Sequence, residues 1–366
     1  MKKSPCIIAL LITATFLPGQ ALAQDALNSL EARDEELAIR NAMLQWDNDL
    51  FAGSDRNYTN GIRLAVGGPM GTDPDYGQIR NWLRRFSGDR TGPDFIDRLT
   101  GFDSSEIDYS WGLGFTQLMF TPEDPVPATP PPGERPYAAW TGMEISMQAR
   151  DENSLSTVAL TLGVTGDWAF GEEAQDFVHH NISDSPIFNG WDSQLPEEPT
   201  LNLFFNHKRR MQFLDNFQHG PLGMDGYTEF GASIGTLRTD FYVGGVMRAG
   251  WNLPGTFSSP RLQLGSYGSQ YFANPANPAD RFRAYLMVGA QGTLVLHDAT
   301  LDGSLFRNWT HSVDSEPLVG EVMTGIGIGY GNFDLVYSQV YRSDEFRQQN
   351  SSLEYASLQL VWQMPL

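Results

Sequence analysis

Cysteine is nearly absent from this chain of 366 residues, and basic residues are few beside acidic ones. The single cysteine, Cys6, lies at the start of the first apolar segment, so the rest of the chain can form no disulfide. Only 24 Lys and Arg residues oppose 44 Asp and Glu residues, and the net charge is −20. Nucleic-acid binding draws much of its affinity from clustered cations, so we exclude nucleic acid as a partner.

Long apolar runs are also missing, except near the start of the chain. There, two lysines precede the apolar run Ile7–Phe16, and small residues occupy the −3 and −1 positions before a cleavage point after Ala23. We predict that residues 1–23 are a signal peptide and that residues 24–366 form a single exported domain. No later stretch approaches the ~20 consecutive apolar residues of a membrane-spanning helix, which excludes a helical membrane protein.

Apolar residues alternate with small or polar ones in several segments. Near the end of the chain, Leu358, Leu360 and Trp362 alternate with Ser357, Gln359, Val361 and Gln363. The same period of two occurs over residues 158–164 and 322–330. This alternation predicts β-strands with one apolar face and one small or polar face.

Three features favour a transmembrane barrel over a soluble sandwich, whose strands also alternate. The segments are about ten residues long, aromatic residues such as Tyr330 and Trp362 lie near strand ends, and glycine or polar residues occupy the second face. Because hydrocarbon offers no hydrogen bonds, a sheet in lipid must close on itself. We therefore predict an all-β fold, a closed 12-stranded antiparallel transmembrane β-barrel with short helices in its loops. The predicted strands lie near residues 42–51, 57–68, 107–120, 136–149, 154–167, 199–212, 226–237, 240–252, 282–297, 318–330, 332–342 and 354–366.

An even number of strands places both termini on the same side of the membrane, and we expect this to be the periplasmic side. The extracellular loops are then those centred near residues 54, 128, 183, 238, 306 and 348. Residues 69–106 and 253–281 become periplasmic connections. The first carries four apolar residues at helical spacing, from Ile79 to Phe86, beside arginines, which predicts a short helix at the membrane surface.

Two polar stretches interrupt this pattern. The first runs from Asp47 to Asp49, near the first predicted extracellular loop, and is followed by Thr59 on the second strand. The second, residues 171–180, predicts a short helix between two strands. Gln175 and His179 are four residues apart and therefore share one face of that helix.

These stretches resemble the outer-membrane lipid A 3′-O-deacylase family. The resemblance lies in the Asn-Asp-x-Phe and Tyr-Thr-x-Gly patterns within residues 48–61, in the Gln-x-x-x-His helix, and in the run Gly190–Leu195. It spans most of the mature chain. It implies a twelve-stranded barrel, in the outer membrane of a Gram-negative bacterium, that removes the 3′-acyloxyacyl group of lipid A in lipopolysaccharide. The implied reaction uses a histidine base, an activated water and a calcium ion.

The resemblance also carries the family's active-site positions onto this chain. They fall on Asn48, Asp49, Thr59, Gln175 and His179.

Two departures accompany this match. The family's acidic residue after the histidine has Asp184 as its best counterpart, whereas the strict count gives Ser185. Asp49 and Asp184 are thus the expected calcium ligands. The family's substrate-contacting lysine after the third strand is missing, and Arg135, in the Pro-rich loop that follows, is the nearest cation and the expected substrate contact.

The chemistry of these side chains suits ester hydrolysis even when the family resemblance is set aside. His179 can take a proton from water near neutral pH, because an unperturbed imidazole has a pKa of about 6.5. Asn48 and Asp49 offer the hard oxygens that calcium prefers, and a cation stabilises an oxyanion. Consecutive strand residues point to opposite faces, so the strand must be bulged or ending for both to serve one site. Otherwise Asp47 is the better partner of Asp49. By alternation, Thr59 should face the barrel interior.

Other functions stay open at this point. A diffusion channel would need a wide lumen, whereas twelve strands form a narrow barrel. A non-catalytic barrel that binds lipopolysaccharide would leave lipid A unchanged. A phospholipase with a Ser-His-Asn triad is disfavoured, because no serine has a recognisable histidine neighbour in strand register. Arg63 and Lys208 could, by charge alone, meet lipid A phosphates. We expect a monomer.

Overall fold

The computed structural model describes residues 39–48, 57–70, 108–181, 188–254, 281–349 and 352–363. Its twelve strands are β1 (Asn41–Asn48), β2 (Asn57–Pro69), β3 (Asp108–Thr121), β4 (Ala138–Arg150), β5 (Ser154–Thr165), β6 (Pro199–Arg210), β7 (Leu222–Gly235), β8 (Arg238–Trp251), β9 (Arg283–Asp298), β10 (Leu318–Tyr330), β11 (Phe333–Arg342) and β12 (Leu353–Gln363). Helix α1 (Gly171–Asn181) lies between β5 and β6, and the short helix α2 (Ala299–Asp302) follows β9. Three 3-10 helices cover Gly166–Ala169, Trp191–Ser193 and Gln212–Phe217.

The sheet closes on itself. Each strand pairs antiparallel with its neighbours in the chain, and β1 pairs with β12 to complete the barrel. Among the described strands no edge is left unpaired, as a sheet in lipid requires. The predicted fold class is confirmed, and the predicted strand limits are correct to within four residues at the described ends. The predicted signal peptide and the predicted helix near Ile79 lie outside the described residues.

The outer face of the barrel is an apolar belt. On β2, Leu64 points outward and is 52 % exposed, whereas Arg63 and Ala65 on either side point inward and are buried. The same alternation exposes Ile326 and Ile328 on β10. So large a continuous apolar surface is typical of a barrel in lipid rather than of a soluble sandwich. Within the described ranges, no helix is long and apolar enough to cross a bilayer.

The inner face carries buried charges that pair between adjacent strands or between strands two apart. Arg63 on β2 lies 3.2 Å from Glu144 on β4. Its side chain passes over Gly114, where a Cβ would stand only 2.9 Å from the guanidinium. Burying a charge is costly unless an opposite charge compensates it, so such pairs make a dry lumen possible. Similar pairs join Lys208 to Glu229, Arg248 to Asp225 and Arg283 to Asp334.

Large buried side chains from strands around the barrel, among them Trp140, Tyr227, Tyr285 and Tyr355, form one apolar cluster in the lumen. The indole of Trp140 lies over Gly142 and Gly163, where a Cβ would approach the ring to within 2.2 Å and 2.6 Å. Its Nε1 donates a hydrogen bond to Oγ1 of Thr200 at 2.8 Å. The lumen at this level is therefore packed with side chains, as expected for a barrel of this strand number.

The two ends of the barrel differ in their loops. We call the end at which β1 finishes and β2 begins the upper rim, and the opposite end the lower rim. At the upper rim, Arg135 of the β3–β4 loop pairs with Glu345 of the β11–β12 loop. Nε1 of Trp309, in the β9–β10 loop, donates to the carbonyl oxygen of Ser193 in the β5–β6 loop. These contacts join four loops across the mouth of the barrel.

The Arg63–Glu144 pair gives the first testable prediction. Replacing Arg63 with Ala should lower the free energy of unfolding by about 3–5 kcal/mol, because the Glu144 charge would stay buried opposite an empty space. Leu64→Ala, at the next residue, which faces lipid, should lower the free energy of unfolding by less. Equilibrium unfolding in urea would measure both, and equal costs for the two variants would contradict the assignment.

Candidate active site

The β5–β6 loop turns outward and lies on the outer wall of the barrel. The carbonyl oxygen of Ala169, at the end of the first 3-10 helix, accepts hydrogen bonds from Oγ1 of Thr141 at 2.8 Å and Nε2 of Gln117 at 2.7 Å. Thr141 is on β4 and Gln117 is on β3, and both occupy outward positions of their strands. The loop therefore advances from β5 across β4 to β3, in the direction of β2 and β1.

An apolar cluster fixes the start of α1 on this wall. The cluster contains the outward residues Met119 and Ala139 and the loop residues Ala169, Phe188 and Trp191. A Cβ on Gly171, the first residue of α1, would stand 2.5 Å from the Cβ of Ala139, so only glycine allows this close approach. The ring of Tyr137 meets that of Trp191 edge to face, with centroids 5.1 Å apart.

Gln175 faces the wall and is 2 % exposed. Its Oε1 accepts a hydrogen bond of 2.8 Å from Nε1 of Trp191. Its buried Nε2 has no hydrogen-bond partner among the described residues. A buried amide donor without an acceptor is costly, so this group is available for an oxygen atom of a ligand.

His179 follows Gln175 by one helical turn and so shares its face of α1. The structure does not describe the side chain of His179. The neighbouring His180 is exposed, and its Nδ1 lies 2.8 Å from the carbonyl oxygen of Asp176 within the helix. This position agrees with the expectation that His180 belongs to another face.

A row of outward residues along the upper rim is covered. In register, Ala139 of β4 stands beside Met119 of β3, then Asn60 of β2, Asn48 of β1 and Ala356 of β12. Four of the five are buried and Asn60 is half-buried, although outward residues lower on the same strands are exposed. We call this set the covered row. A polar pair, Asn48 and Asn60, thus lies on the lipid side of the wall under a cover.

The structure brings only some of the predicted residues together. Asn48 belongs to the covered row and is the last residue of β1 that the structure describes. The end or bulge of the strand that a two-residue site requires after it stays a prediction. Asp47 points inward, within 3.3 Å of Nε2 of Gln45, and therefore does not share the face of Asn48. Asp49 and Asp184 lie outside the described residues, and their roles stay predictions.

The inward direction predicted for Thr59 does not follow from the alternation. The pairing of β2 with β3 is irregular between Asn57 and Asn60. The alternation of inward and outward residues from Gly61 onward therefore cannot be continued backward to Thr59. The structure does not describe the side chain of Thr59. Asn60 was missed by the sequence analysis, although its alternation with Ile62 would have placed it on the outer face. Its Oδ1 accepts a hydrogen bond of 2.7 Å from Nε1 of Trp46.

The two flanks of α1, the helix of the β5–β6 loop, differ in charge. On one flank of α1, the pKa of the Glu172 carboxyl group is raised, mainly by burial and secondly by the nearby carboxylates of Asp176 and Asp192. The other flank exposes aromatic side chains, Phe170 and Phe177, at more than half of their surface. This arrangement suits a helix that lies along a membrane surface, with one edge toward hydrocarbon and one toward water.

Calcium can be tested against the donors that are present. Among the described residues there is no group of three or more His, Cys, Asp or Glu side chains that could hold a metal ion. The amide oxygen of Asn48 is a hard ligand of the type calcium takes, and the predicted ligands Asp49 and Asp184 are of the same type. The donor set therefore fits calcium in its chemistry.

Arg135 lies at the mouth of the lumen and is 1 % exposed. Its Nη1 is 2.5 Å from a carboxylate oxygen of Glu345, its Nη2 donates to Oγ1 of Thr300 at 3.1 Å, and its guanidinium lies over the ring of Phe120. A phosphate would reach this group only if the pair with Glu345 opened. As a substrate contact, Arg135 stays a prediction.

Two other expectations about charge and nucleophiles are wrong. Arg63 and Lys208 do not meet lipid phosphates, because both are buried in the lumen and paired with acids.

A serine does have a histidine neighbour in register: Oγ of Ser156 on β5 lies 2.9 Å from Nδ1 of His207 on β6. Both side chains are buried, however, so a lipid ester cannot reach this serine. The pairing does not support a phospholipase triad.

The Trp191–Gln175 hydrogen bond provides a second prediction. Trp191→Phe removes the donor and should raise amide hydrogen exchange in α1 by roughly tenfold, because a buried hydrogen bond is lost. Trp168→Phe is the matched control, since Trp168 belongs to the same loop and is 52 % exposed. Equal exchange in the two variants would show that Trp191 does not hold α1 on the wall.

The Arg135–Glu345 pair predicts a pH dependence of stability. Burial alone would raise the pKa of Glu345, but Arg135 and Arg342 outweigh it and lower that pKa to about 2. The pKa is thus lower in the folded than in the unfolded protein, so the stabilisation is complete above about pH 4.5 and is lost as the pH falls toward 2.

Urea unfolding of the wild type and of Glu345→Gln at pH 6.5 and pH 3 would measure this effect. The difference in unfolding free energy, at most about 3 kcal/mol, should be largest at the higher pH. The same difference in unfolding free energy at both pH values would contradict the lowered pKa of Glu345.

Comparison with known proteins agrees with this architecture. A family model described as outer membrane protein LpxR matches residues 7–364. The solved structure of LpxR from Salmonella typhimurium superposes with a TM-score of 0.65 at 16 % identity, covering 88 % of this chain and 100 % of that one. The β-domain of the Bordetella autotransporter BrkA gives a TM-score of 0.42 at 11 % identity, covering 89 % and 100 %. A search of curated proteins found no match. The family model covers nearly the whole chain, which confirms the family expected from the motifs: the chain is an outer-membrane β-barrel and belongs to the LpxR family.

Proposed function

We propose that this protein hydrolyses the 3′-linked acyloxyacyl ester of lipid A, at a site on the outer wall near the extracellular face. The observation that carries the proposal is the covered row. It places Asn48 and Asn60 on the lipid side of the wall, where polar groups are costly and usually functional. A lipid in the outer leaflet reaches this side of the wall without entering the lumen.

The length of α1 supports a role for His179 over this row. The helix starts on Ala139 of β4, and its eleven residues span about 16 Å. Three strand spacings separate β4 from β1, which is about 14 Å. His179 lies eight residues, about 12 Å, beyond the start of α1, so a helix that continued in the direction of the loop would bring His179 to the level of β2, near Asn60 and one strand from Asn48.

In the proposed reaction, the imidazole of His179 takes a proton from a water molecule, and the hydroxide adds to the ester carbonyl carbon. The tetrahedral oxyanion then collapses, and the bond between that carbon and the 3′ oxygen of the sugar breaks. The imidazolium returns its proton to this oxygen. The products are a free acyloxyacyl acid and lipid A with a 3′ hydroxyl group.

Gln175 has a defined part in this scheme. Its Oε1 is held by Trp191, so its Nε2 points in a fixed direction and lacks an acceptor among the described residues. A fixed amide donor stabilises a developing oxyanion or orients the attacking water. Thr59 is proposed to hydrogen-bond the same group of ligands or the histidine.

Asn48, Asp49 and Asp184 are the residues that would hold calcium. When bound, the ion supplies positive charge for the oxyanion. Arg135 is retained as a proposed headgroup contact, which requires its pair with Glu345 to open.

The alternative functions are weaker. The packed lumen around Trp140 and the Arg63–Glu144 pair leaves little room for a diffusion channel. A large steady conductance in planar bilayers would favour the channel nevertheless. A barrel that only binds lipopolysaccharide would share the fold and could also use the amide donor of Gln175, and it would leave lipid A chemically unchanged.

Mass spectrometry of lipid A tests the reaction. Lipid A from cells that express the protein should lose one acyloxyacyl unit. His179→Ala should reduce turnover by roughly 10²–10⁴-fold, the usual contribution of a general base, while His180→Ala should retain activity as the matched control. Chelation of divalent cations should also stop the reaction.

Each arm can fail separately. Unaltered lipid A with a folded wild-type barrel would contradict the proposed reaction. Activity in His179→Ala would remove His179 as the base, and activity in excess chelator would remove the divalent cation.

A further inference from the structure

An apolar groove of about 500 Å³ lies in the outer wall, where β12, β1, β2 and β3 run side by side. Small residues, Ala42 and Gly114, contribute to its lining together with the larger Leu64, Phe115 and Trp362. These three larger side chains are exposed on the lipid side. The groove is therefore a depression within the belt.

The groove lies directly below the covered row. On each strand, the row of Leu360, Leu44, Leu64, Phe115 and Met143 is four residues below the covered row. Four residues of a strand span about 13 Å. The two rows therefore share the same strands and are separated only in height.

The lower end of the groove is formed by two aromatic rings. Phe333 and Trp362 stack with centroids 6.1 Å apart and an angle of 6° between their planes. Trp362 pairs with Ala42, which is six residues from Asn48. From the covered row to these rings the wall thus offers a path of about 20 Å.

We propose that this groove receives the acyl chain attached to the scissile ester and sets the chain length that the protein accepts. The inference rests on the proposed hydrolysis of lipid A. An ester held at the covered row must direct its chain away from the packed lumen and from the upper rim. The remaining direction is down the wall, and along it the groove offers an apolar path of fixed length.

The groove selects by shape rather than by hydrophobic affinity. An acyl chain is surrounded by hydrocarbon both in the groove and in the bilayer, so entering the groove gains little transfer free energy. A chain that fits keeps the ester in position over the reacting groups. A chain that is pushed outward displaces the ester, and small displacements reduce reaction rates strongly.

Filling the groove tests this inference. Ala42→Phe should lower kcat/KM for a lipid A substrate with a myristoyl-length 3′ chain by at least roughly tenfold, and should change the rate for a hexanoyl analogue less than about twofold. Ala249→Phe is the matched control, because Ala249 also faces lipid near the lower rim but lies on β8, on the far side of the barrel. Leu44→Ala, which widens the groove, should shift the preference toward longer or bulkier chains.

The outcomes separate this inference from the proposed function. An unchanged chain-length profile in both Ala42→Phe and Leu44→Ala, with folded barrels shown by heat-dependent gel mobility, would overturn the groove assignment and leave the hydrolase intact. The same loss in Ala249→Phe as in Ala42→Phe would also overturn it. No turnover by the wild type on either substrate would remove the proposed function and the inference together.

Discussion

Hydrogen bonding between β1 and β12 completes the barrel and leaves no unpaired edge among the described strands. Lipid cannot satisfy free backbone groups, so this closure is required for a sheet in the membrane. It also fixes which residues stand side by side. Asn48 lies between Asn60 and Ala356 only because the first and last strands pair in this register. The candidate site therefore depends on a pairing between the two ends of the chain.

Closure also separates the two faces of the sheet into different environments. Inside, charges such as Arg63 and Glu144 are acceptable because they pair. Outside, polar residues on an apolar belt need a cover or a partner. The β5–β6 loop supplies the cover where Trp191 and Gly171 pack on Met119 and Ala139. A polar site can thus exist on the lipid side of the wall, where a lipid ester is accessible.

The strands and α1 could be predicted because their signals are local. The alternation around Ile326 requires only neighbouring residues, and the four-residue spacing of Gln175 and His179 needs one helical turn. The missed features depend on distant pairings. Ser156 meets His207 only through the register of β5 and β6, and Arg135 meets Glu345 across 210 positions of the chain. The register shift between Asn57 and Asn60 leaves no periodic signal in the sequence.

The position of the His179 ring relative to Asn48 and Thr59, in a crystal structure grown with calcium, tests the central claim most directly. We expect an imidazole that faces the covered row, with one water molecule within about 3 Å of its nitrogen. A ring directed into solvent, with α1 lying away from β1 and β2, would rule out His179 as the base.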